Sequence, residues 1–384
     1  MMKGYYLYSV VGCLFAILLG CTDDQSGLDS VEEDASRIYL SAGIGQSVMT
    51  RAPFLPQDET GNILHEPTTD NPLDVSVWAS TTENVFPDSM LNGSNGTVAI
   101  YSSAHFQSGD PQLLGEAIYP KGSNPVYFVG LHPQSVAGSK WETTDNATNT
   151  HAQYTFNGKE DVMFAPQISG TYGIPYDSSP KFHFHHLLTL LRIEMVAGME
   201  ENNEQKREEI VEAWGKITSL TISSKNKVIV DLSSDSSGVV FEGSDVDMPL
   251  YKTGTNEVYP KTDGDTIPTS VTEVAYVMCA PVIAKDRDDY DENLLISEYT
   301  LHIQTSKREL DIPIDLKLKN QTGTEAASYF SGTTMGRQFT LLLNFKMGNV
   351  ISVSAAISLG ANTDWYTHGM GIFDLTEDNL TPTE

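Results

Sequence analysis

The densest group of side chains that could do chemistry is a histidine cluster in residues 181–187, Lys-Phe-His-Phe-His-His-Leu. In an extended strand, His183 and His185 would share one face and could offer two imidazoles to a metal ion. No third ligand stands at a suitable spacing, and no Cys or His spacing resembles a zinc site. Because Phe182 and Phe184 alternate with the histidines, we expect a buried strand edged by histidines rather than a metal site.

The other motifs that could support ion binding or catalysis are incomplete. The acidic run 286–293 has Asp291 at the sixth position of a would-be EF-hand loop, where glycine is required. Cys279 lies in an apolar window with no base beside it, which predicts a buried small side chain rather than a nucleophile. Since no G-x-S-x-G, H-E-x-x-H or P-loop motif occurs either, we expect a protein that is not an enzyme and uses no cofactor.

The composition of the chain argues against some classes of binding partner. The chain has 384 residues, of which 23 are Lys or Arg and 51 are Asp or Glu, so its formal net charge is −28. This acidity argues against binding to nucleic acid, which needs clustered Lys and Arg, and against electrostatic docking on anionic lipid. With 40% hydrophobic residues the chain can form sizeable cores, and its length indicates two domains.

The N-terminus predicts export. Residues 1–20 combine an early Lys3 with an apolar run that is too short and too early for a membrane span, as in a secretory signal peptide. The run ends in Leu18-Leu19-Gly20-Cys21, which resembles the bacterial lipobox and predicts acylation of the cysteine. The acidic tether 21–36 resembles the surface-export signal of Bacteroidetes lipoproteins. We therefore expect a surface-exposed protein that is lipid-anchored to the outer membrane at Cys21, a plain signal peptide with an incidental cysteine being the alternative.

Residues 38–45 predict the first strand of the folded part. Their apolar and polar side chains alternate, which is the pattern of a half-buried strand. The inward-facing side chains are Ile38, Leu40, Ala42 and Ile44.

Short strand patterns separated by turn residues fill the rest of the chain. The charged segment 199–211 is typical of a surface linker or a short helix, so we place a domain boundary near residue 200. Many short strands with almost no amphipathic helix predict an all-β fold. We expect two tandem antiparallel β-sandwich domains, at 37–200 and 201–384.

Trp141 supports an alternative function. It lies in a polar stretch and could form an exposed stacking platform for a sugar, whereas Trp214 and Trp365 flank strand patterns and are expected to seal sandwich ends. On this interpretation the chain is a surface-exposed glycan-binding lipoprotein.

Several segments together resemble the fimbrillin family of Bacteroidetes, the subunits and accessory proteins of lipoprotein-derived pili. They follow one another in order over nearly the whole chain. Besides the lipobox and the tether, they are the early strand ending in Thr50-Arg51-Ala52-Pro53, the segments Asp161–Ala165 and Phe184–Ile193, the strand patterns Phe339–Phe345 and Val350–Ile357, and Trp365.

The resemblance implies two transthyretin-like β-sandwiches without catalysis, in a protein whose partners are other fimbrial subunits. In this family an arginine-specific protease removes the lipidated leader together with the first strand. On this sequence the cleaved bond would join Arg51 and Ala52, with the bond between Arg37 and Ile38 as a second candidate.

The resemblance also implies that a strand from a neighbouring subunit fills the groove that the leader leaves. The strand at 38–45 would be the leader strand. The donor-strand candidate is the C-terminal segment that contains Met370, Ile372 and Phe373. Family members serve as stalk, tip or anchor proteins, and the sequence does not choose among these roles.

Overall fold

The structure of the chain is a computed structural model that describes residues 37–44, 72–84, 101–106, 111–122, 124–135, 141–143, 151–174, 178–232, 238–253, 255, 257–281, 299–314, 335–336, 338–348 and 351–357. Within these ranges the chain forms many strands and a single helix, which confirms the all-β fold class. No helix in this part of the chain is long and apolar enough to cross a membrane.

The strands are numbered in chain order. They are β1 (Arg37–Ile44), β2 (Leu73–Ser80), β3 (Tyr101–Phe106), β4 (Gln112–Ile118), β5 (Val126–His132), β6 (Glu142–Thr143), β7 (His151–Thr155), β8 (Met163–Gly170), β9 (Lys181–His186), β10 (Thr189–Ala197), β11 (Lys216–Ser224), β12 (Lys227–Asp231), β13 (Val239–Glu242), β14 (Val246–Tyr251), β15 (Val258–Tyr259), β16 (Asp265–Thr266), β17 (Thr272–Cys279), β18 (Tyr299–Thr305), β19 (Glu309–Ile314), β20 (Gln338–Phe345) and β21 (Ile351–Ile357). The helix, α1, spans Glu204–Trp214.

Hydrogen bonds join these strands into three sheets. The seven-stranded sheet has the order β3-β2-β5-β8-β9-β1-β4, and the four-stranded sheet has the order β13-β12-β7-β6. The ten-stranded sheet has the order β19-β18-β11-β14-β17-β10-β20-β21, with β15 beside β14 and β16 beside β11. Among the described strands, β1 with β9 and β10 with β20 pair in parallel, and the other pairs are antiparallel.

At β2 and β5, both faces of the seven-stranded sheet are buried. Val75 and Val77 of β2 and Phe128 of β5 face a first core, which also holds the buried side chains of β1. Trp78 of β2 and Val129 of β5 belong to a second core, which extends into the other two sheets. Since successive residues of a strand point to opposite sides, β2 and β5 each contribute to both cores.

Two strands connect the halves of the chain on either side of residue 200. β7 pairs with β12 along its whole length. β10, which ends at Ala197, pairs with β17 on one side and with β20 on the other. The domain boundary near residue 200 stays a prediction, and strands from both sides of it share two sheets.

Helix α1 lies in the charged segment for which the sequence predicts a linker or a short helix. Asn203 caps its start by accepting a hydrogen bond from the Gln205 N–H at 2.9 Å, and Gly215 ends it with a φ of 76°. Trp214 is fully buried and meets the ring of Phe345 edge-on, with ring centroids 5.3 Å apart. The helix is therefore docked on β20 through its last residue.

Replacement of Gly130 by alanine tests the packing of the first core. An added Cβ would lie 2.6 Å from Cζ of Phe184 and 3.2 Å from Cβ of Ala165, so the ring would have to move. We expect Gly130→Ala to lower the free energy of unfolding, measured by urea denaturation, by about 1–3 kcal/mol. Ser169→Ala, at an exposed position of β8, is the control and should change it by less than about 0.5 kcal/mol. Equal effects of the two variants would contradict this packing.

Candidate functional site

The two halves of β1 pair with different neighbours. The first half runs antiparallel to β4, with Leu40 opposite Gln112. The second half runs parallel to β9, with Ala42 opposite Phe182, and the Ser41 N–H donates to the Pro180 carbonyl just before β9 at 3.0 Å. Among the described strands, β1 is the one that hydrogen-bonds β4 to the rest of the sheet.

The inward side chains of β1 are completely buried. Ile38, Leu40 and Ala42 each have 0% of their surface exposed, and they share the first core with Leu114 of β4 and Phe182 of β9. Full burial of an Ile or Leu side chain stabilises a fold by roughly 1.5–3 kcal/mol. Without β1, this apolar surface and the unpaired N–H and C=O groups of β4 and β9 would form an open groove, which we call the β1 groove.

Aromatic rings form the wall of the β1 groove beside the second half of β1. Phe182 packs edge-on against Phe106 of β3 with ring centroids 6.5 Å apart, and its centroid lies 5.7 Å from that of Phe184. Phe184 lies so close to Gly130 of β5 that a Cβ there would approach its ring to 2.6 Å. Phe106, Phe182 and Phe184 therefore form an aromatic wall that contacts both β3 and β5.

Tyr119 packs the chain just after β4 against β5 and β8 of the seven-stranded sheet. Its ring packs edge-on against Phe128 with centroids 6.2 Å apart, and its hydroxyl leaves no room for a Cβ on Gly170. The hydroxyl oxygen has no hydrogen-bond partner among the described residues, and burial raises the pKa of Tyr119. β4 is therefore attached by side-chain packing as well as by its hydrogen bonds to β1.

A buried polar cluster lies at the far end of β9. Nδ1 of His186 donates to the Asp161 carboxylate at 2.5 Å, and both side chains are almost fully buried. Near this pair, Nδ1 of His132 at the end of β5 donates to the Asp74 carbonyl oxygen at 2.7 Å. Sequence reasoning missed the cluster because Asp161 and His186 are 25 residues apart and form no spacing motif. One feature of the sequence could have pointed to this cluster: Asp161 and His186 both lie in segments that carry the family resemblance.

Several residues singled out in the sequence lie outside the described ranges. They are the lipidation residue, the preferred cleavage bond and the donor-strand candidate, namely Cys21, Arg51, Ala52, Met370, Ile372 and Phe373. Arg37 begins β1, so its bond to Ile38 lies at the start of the ladder with β4. Ile44 ends β1, but its side chain is not described.

The expectation that Trp141 forms an exposed platform is wrong. Its side chain is 4% exposed, and its indole N–H donates to the Pro133 carbonyl at 3.1 Å. Its ring lies against that of Tyr154 of β7, with centroids 5.1 Å apart. The polar residues around Trp141 in the sequence gave no sign of this aromatic pairing, which covers the indole.

The histidine-edged strand is confirmed in part. Phe182 and Phe184 are fully buried in β9 and His183 is exposed, whereas His185 is half-buried and His186 is buried. Within the described ranges, no group of three His, Cys, Asp or Glu side chains converges as a metal site. Cys279 is buried as predicted, and burial raises the pKa of its thiol, which makes it a poor nucleophile. The acidic run 286–293 lies outside the described residues.

Comparison with known proteins places these features in a family context. A family model described as fimbrillin-like matches residues 50–358. No curated protein matches the chain. Among solved structures, a candidate cell adhesion protein from Bacteroides ovatus has a TM-score of 0.45 at 12% identity, over 83% of this chain and 95% of that one.

Two further solved structures are similar at lower scores or identities. The fimbrial anchor protein Mfa2 from Porphyromonas gingivalis has a TM-score of 0.36 at 10% identity, over 83% of this chain and 97% of that one. Candidate polysaccharide binding proteins from Bacteroides thetaiotaomicron have a TM-score of 0.42 at 8% identity, over 90% of this chain and 99% of that one. The assignment of this chain to a family rests on the family model that matches residues 50–358.

The buried His132 should make stability depend on pH. Burial, the largest effect, lowers the pKa of His132 from its ordinary value of 6.5, although the Asp74 carbonyl and the charges of Asp161 and Asp74 oppose the shift. Below pH 6.5 the unfolded chain therefore binds a proton that the folded chain refuses, so the free energy of unfolding falls as the pH falls.

We expect His132→Asn to reduce the slope of unfolding free energy against pH between about pH 7 and 5, by at most about 1.4 kcal/mol per pH unit. Urea denaturation at a series of pH values measures this slope. The exposed His183, replaced by Asn, is the control. Identical slopes in wild type and His132→Asn would contradict the account.

Proposed function

The chain belongs to the fimbrillin-like family, and on that premise we propose that it is a structural subunit, or an accessory anchor or tip protein, of a cell-surface fimbria. Family membership indicates a structural role at the cell surface rather than catalysis. Other fimbrial subunits are the partners that follow from it. We further propose that the chain joins them by exchanging β1 for a strand of another subunit.

The observation that carries the proposal is the position of β1. It is the first described strand in the sequence, its side chains Ile38, Leu40 and Ala42 are fully buried, and it pairs with β9 on one side and β4 on the other. A strand near a chain end can be removed by one cut without interrupting the rest of the fold. The open edges of β4 and β9 would then accept a strand from another subunit by β-addition.

Cleavage between Arg51 and Ala52 would release the whole of β1 with the leader. The alternative cut between Arg37 and Ile38 would leave the inward side chains of β1 in place. It would also require the start of β1 to separate from β4, since Arg37 stands opposite Ile118 in that ladder.

After cleavage, the β1 groove receives a strand from the C-terminal segment of a neighbouring subunit. The sequence candidate for this donor contains Met370, Ile372 and Phe373. Backbone pairing with β4 and β9 would supply most of the attachment, and apolar side chains would refill the first core.

Before assembly, the chain is held at the outer membrane by a lipid on Cys21, with the acidic tether 21–36 as a spacer. This part of the proposal rests on the lipobox-like Leu18-Leu19-Gly20-Cys21. One acylated terminus would anchor the protein without spanning the membrane. The alternative of glycan binding loses its supporting residue, because Trp141 is buried.

Variants of the two arginines test the processing step. In wild-type cells we expect surface protein that starts at Ala52 and a ladder of SDS-resistant multimers. Arg51→Ala should yield protein that starts at Cys21 and no ladder, because β1 still fills its groove. Arg37→Ala, the matched control, should behave as wild type. N-terminal sequencing and gel electrophoresis of purified surface protein give the result.

Two outcomes would change the proposal. Wild-type protein that starts at Cys21, with no shorter form and no ladder, would contradict a polymerising stalk subunit and leave the anchor role. Protein that starts at Ile38 would show the alternative cut, in which β1 keeps its place and is not exchanged.

Replacement of Cys21 tests the lipid anchor. The test uses Arg51→Ala protein, which keeps its leader. In this background we expect Cys21→Ala to abolish labelling by a fatty-acid analogue and to move the protein out of the outer-membrane fraction. Cys279→Ala in the same background is the control, since Cys279 is buried in the second core and its replacement should leave both properties unchanged. Undiminished fatty-acid labelling of Cys21→Ala would exclude Cys21 as the lipidation site.

A further inference from the structure

Two buried histidines lie at the ends of strands in the seven-stranded sheet. His132 ends β5 and His186 ends β9, and both stand opposite Met163, the first residue of β8. Only 2% of His132 and 5% of His186 is exposed. Because strand ends can separate while the inner part of a ladder stays paired, both imidazoles can reach water without unfolding of the whole sheet.

The hydrogen bonds of the two imidazoles determine which nitrogen carries the proton in the neutral form. Nδ1 of His132 donates to the Asp74 carbonyl at 2.7 Å, and Nδ1 of His186 donates to the Asp161 carboxylate at 2.5 Å. In each neutral ring Nε2 is then an acceptor without a proton. Nε2 of His186 is buried and has no hydrogen-bond partner among the described residues. A proton added there would need an acceptor that these residues do not supply.

Titratable groups from the neighbouring elements surround the two imidazoles. Asp74 of β2 and Asp161 of the loop between β7 and β8 favour a charge on His132, whereas His186 of β9 opposes it. His105 of β3 contacts the exposed Asp74 carboxylate. With all three histidines protonated, three positive charges would face two carboxylates, and burial already lowers the pKa of His132. The fold therefore resists the last of these protons.

Individual hydrogen bonds attach the loop between β7 and β8, residues 156–162, to its neighbours. Its Gly158 carbonyl accepts from the Met278 N–H of β17 at 2.7 Å. Its Val162 carbonyl accepts from the Leu187 N–H, just after β9, at 2.9 Å. Both bonds lie outside the strand ladders, so they can open without breaking a sheet.

The loop is partly accessible to water. Lys159 and Glu160 are half-buried, and the Glu160 carboxylate accepts from the Tyr154 hydroxyl of β7 at 3.0 Å. This acid is therefore engaged with β7 rather than with the histidines. Asp161 and His186 are almost fully buried, so lifting of the loop would bring water to both of them.

We propose that the contact between Asp161 and His186 is an acid-sensitive clasp. When His132 and His186 both bind a proton, residues 156–162 lift from β9, and water accepts from Nε2 of His186 and screens the surplus charge. Because β1 pairs with residues 181–184 of β9, an open clasp also loosens the strand that lines one side of the β1 groove. The clasp belongs to the intact chain and does not depend on strand exchange.

Amide hydrogen exchange of the full chain tests the clasp, because the Leu187 and Met278 amides donate to loop carbonyls and report its opening. Exchange is measured at about pH 7.5 and about pH 5 and corrected for the intrinsic effect of pH. We expect protection of both amides to fall by at least about tenfold, since each proton bound can shift the opening equilibrium by up to about tenfold per pH unit.

Strand β11, in the middle of the ten-stranded sheet, reports global unfolding in the same experiment. At about pH 5, protection of Leu187 and Met278 should be at least about tenfold lower than protection in β11. Equal protection in the three places would show that acid unfolds the whole chain and would overturn the clasp. Unchanged protection of Leu187 and Met278 between the two pH values would overturn it as well.

A pair of variants separates proton binding from packing. His186→Asn keeps a donor near the position of Nδ1 for Asp161 but cannot bind the proton. Protection of Leu187 and Met278 should then depend less steeply on pH than in wild type, by up to about tenfold per pH unit. His183→Asn, at an exposed position of the same strand, is the matched control and should behave as wild type. A pH dependence in His186→Asn as steep as in wild type would contradict the proposal.

A measurement on the wild-type chain decides the question if His186→Asn does not fold. Deuterium exchange at the imidazole C2 positions gives the pH ranges in which His132 and His186 titrate. We expect the Leu187 and Met278 amides to lose protection in the range of the second of these titrations. Loss of protection at a pH where neither histidine titrates would overturn the clasp.

Discussion

A buried strand must pair its N–H and C=O groups, and β1 does so with two strands that the described structure does not otherwise pair with each other. The seven-stranded sheet depends on this arrangement, because β4 joins it through β1. The first core depends on it too, because Ile38, Leu40 and Ala42 of β1 are part of that core. Backbone pairing is the same for any sequence, so another strand can replace β1 if its side chains have the right sizes. In the function that we propose, a neighbouring subunit would supply this same interaction.

The loop between β7 and β8 connects β9, which lines the β1 groove, with the other two sheets. At one end of it, Asp161 accepts the hydrogen bond from His186 of β9. In its middle, the Gly158 carbonyl accepts from the Met278 N–H of β17 at 2.7 Å, and a Cβ on Gly158 would approach the side chain of Val277 to 2.9 Å. These contacts join β9 through the loop to the ten-stranded sheet, and the pairing of β7 with β12 joins the loop to the four-stranded sheet.

The fold class and several local features could be predicted from the sequence because they depend on alternation and burial. Such patterns predict the buried face of β1, the buried phenylalanines of β9 and the buried Cys279. The parallel pairing of β1 with β9 could not be predicted, since strands far apart in sequence find their register through tertiary packing. The burial of Trp141 and the bond between His186 and Asp161 were missed for the same reason: their partners are set by contacts between strands.

Hydrogen–deuterium exchange of the β4 and β9 amides tests most directly the claim that β1 is a replaceable strand. In the intact chain the account predicts slow exchange at residues 112–118 and 181–184, where these strands pair with β1. Chains stripped of their leader should lose this protection while β5, which pairs with β2 and β8, keeps its own, and assembled fimbriae should regain it. Protection at β4 and β9 that is the same in all three states would contradict the account, because β1 would then not be the strand that these edges require.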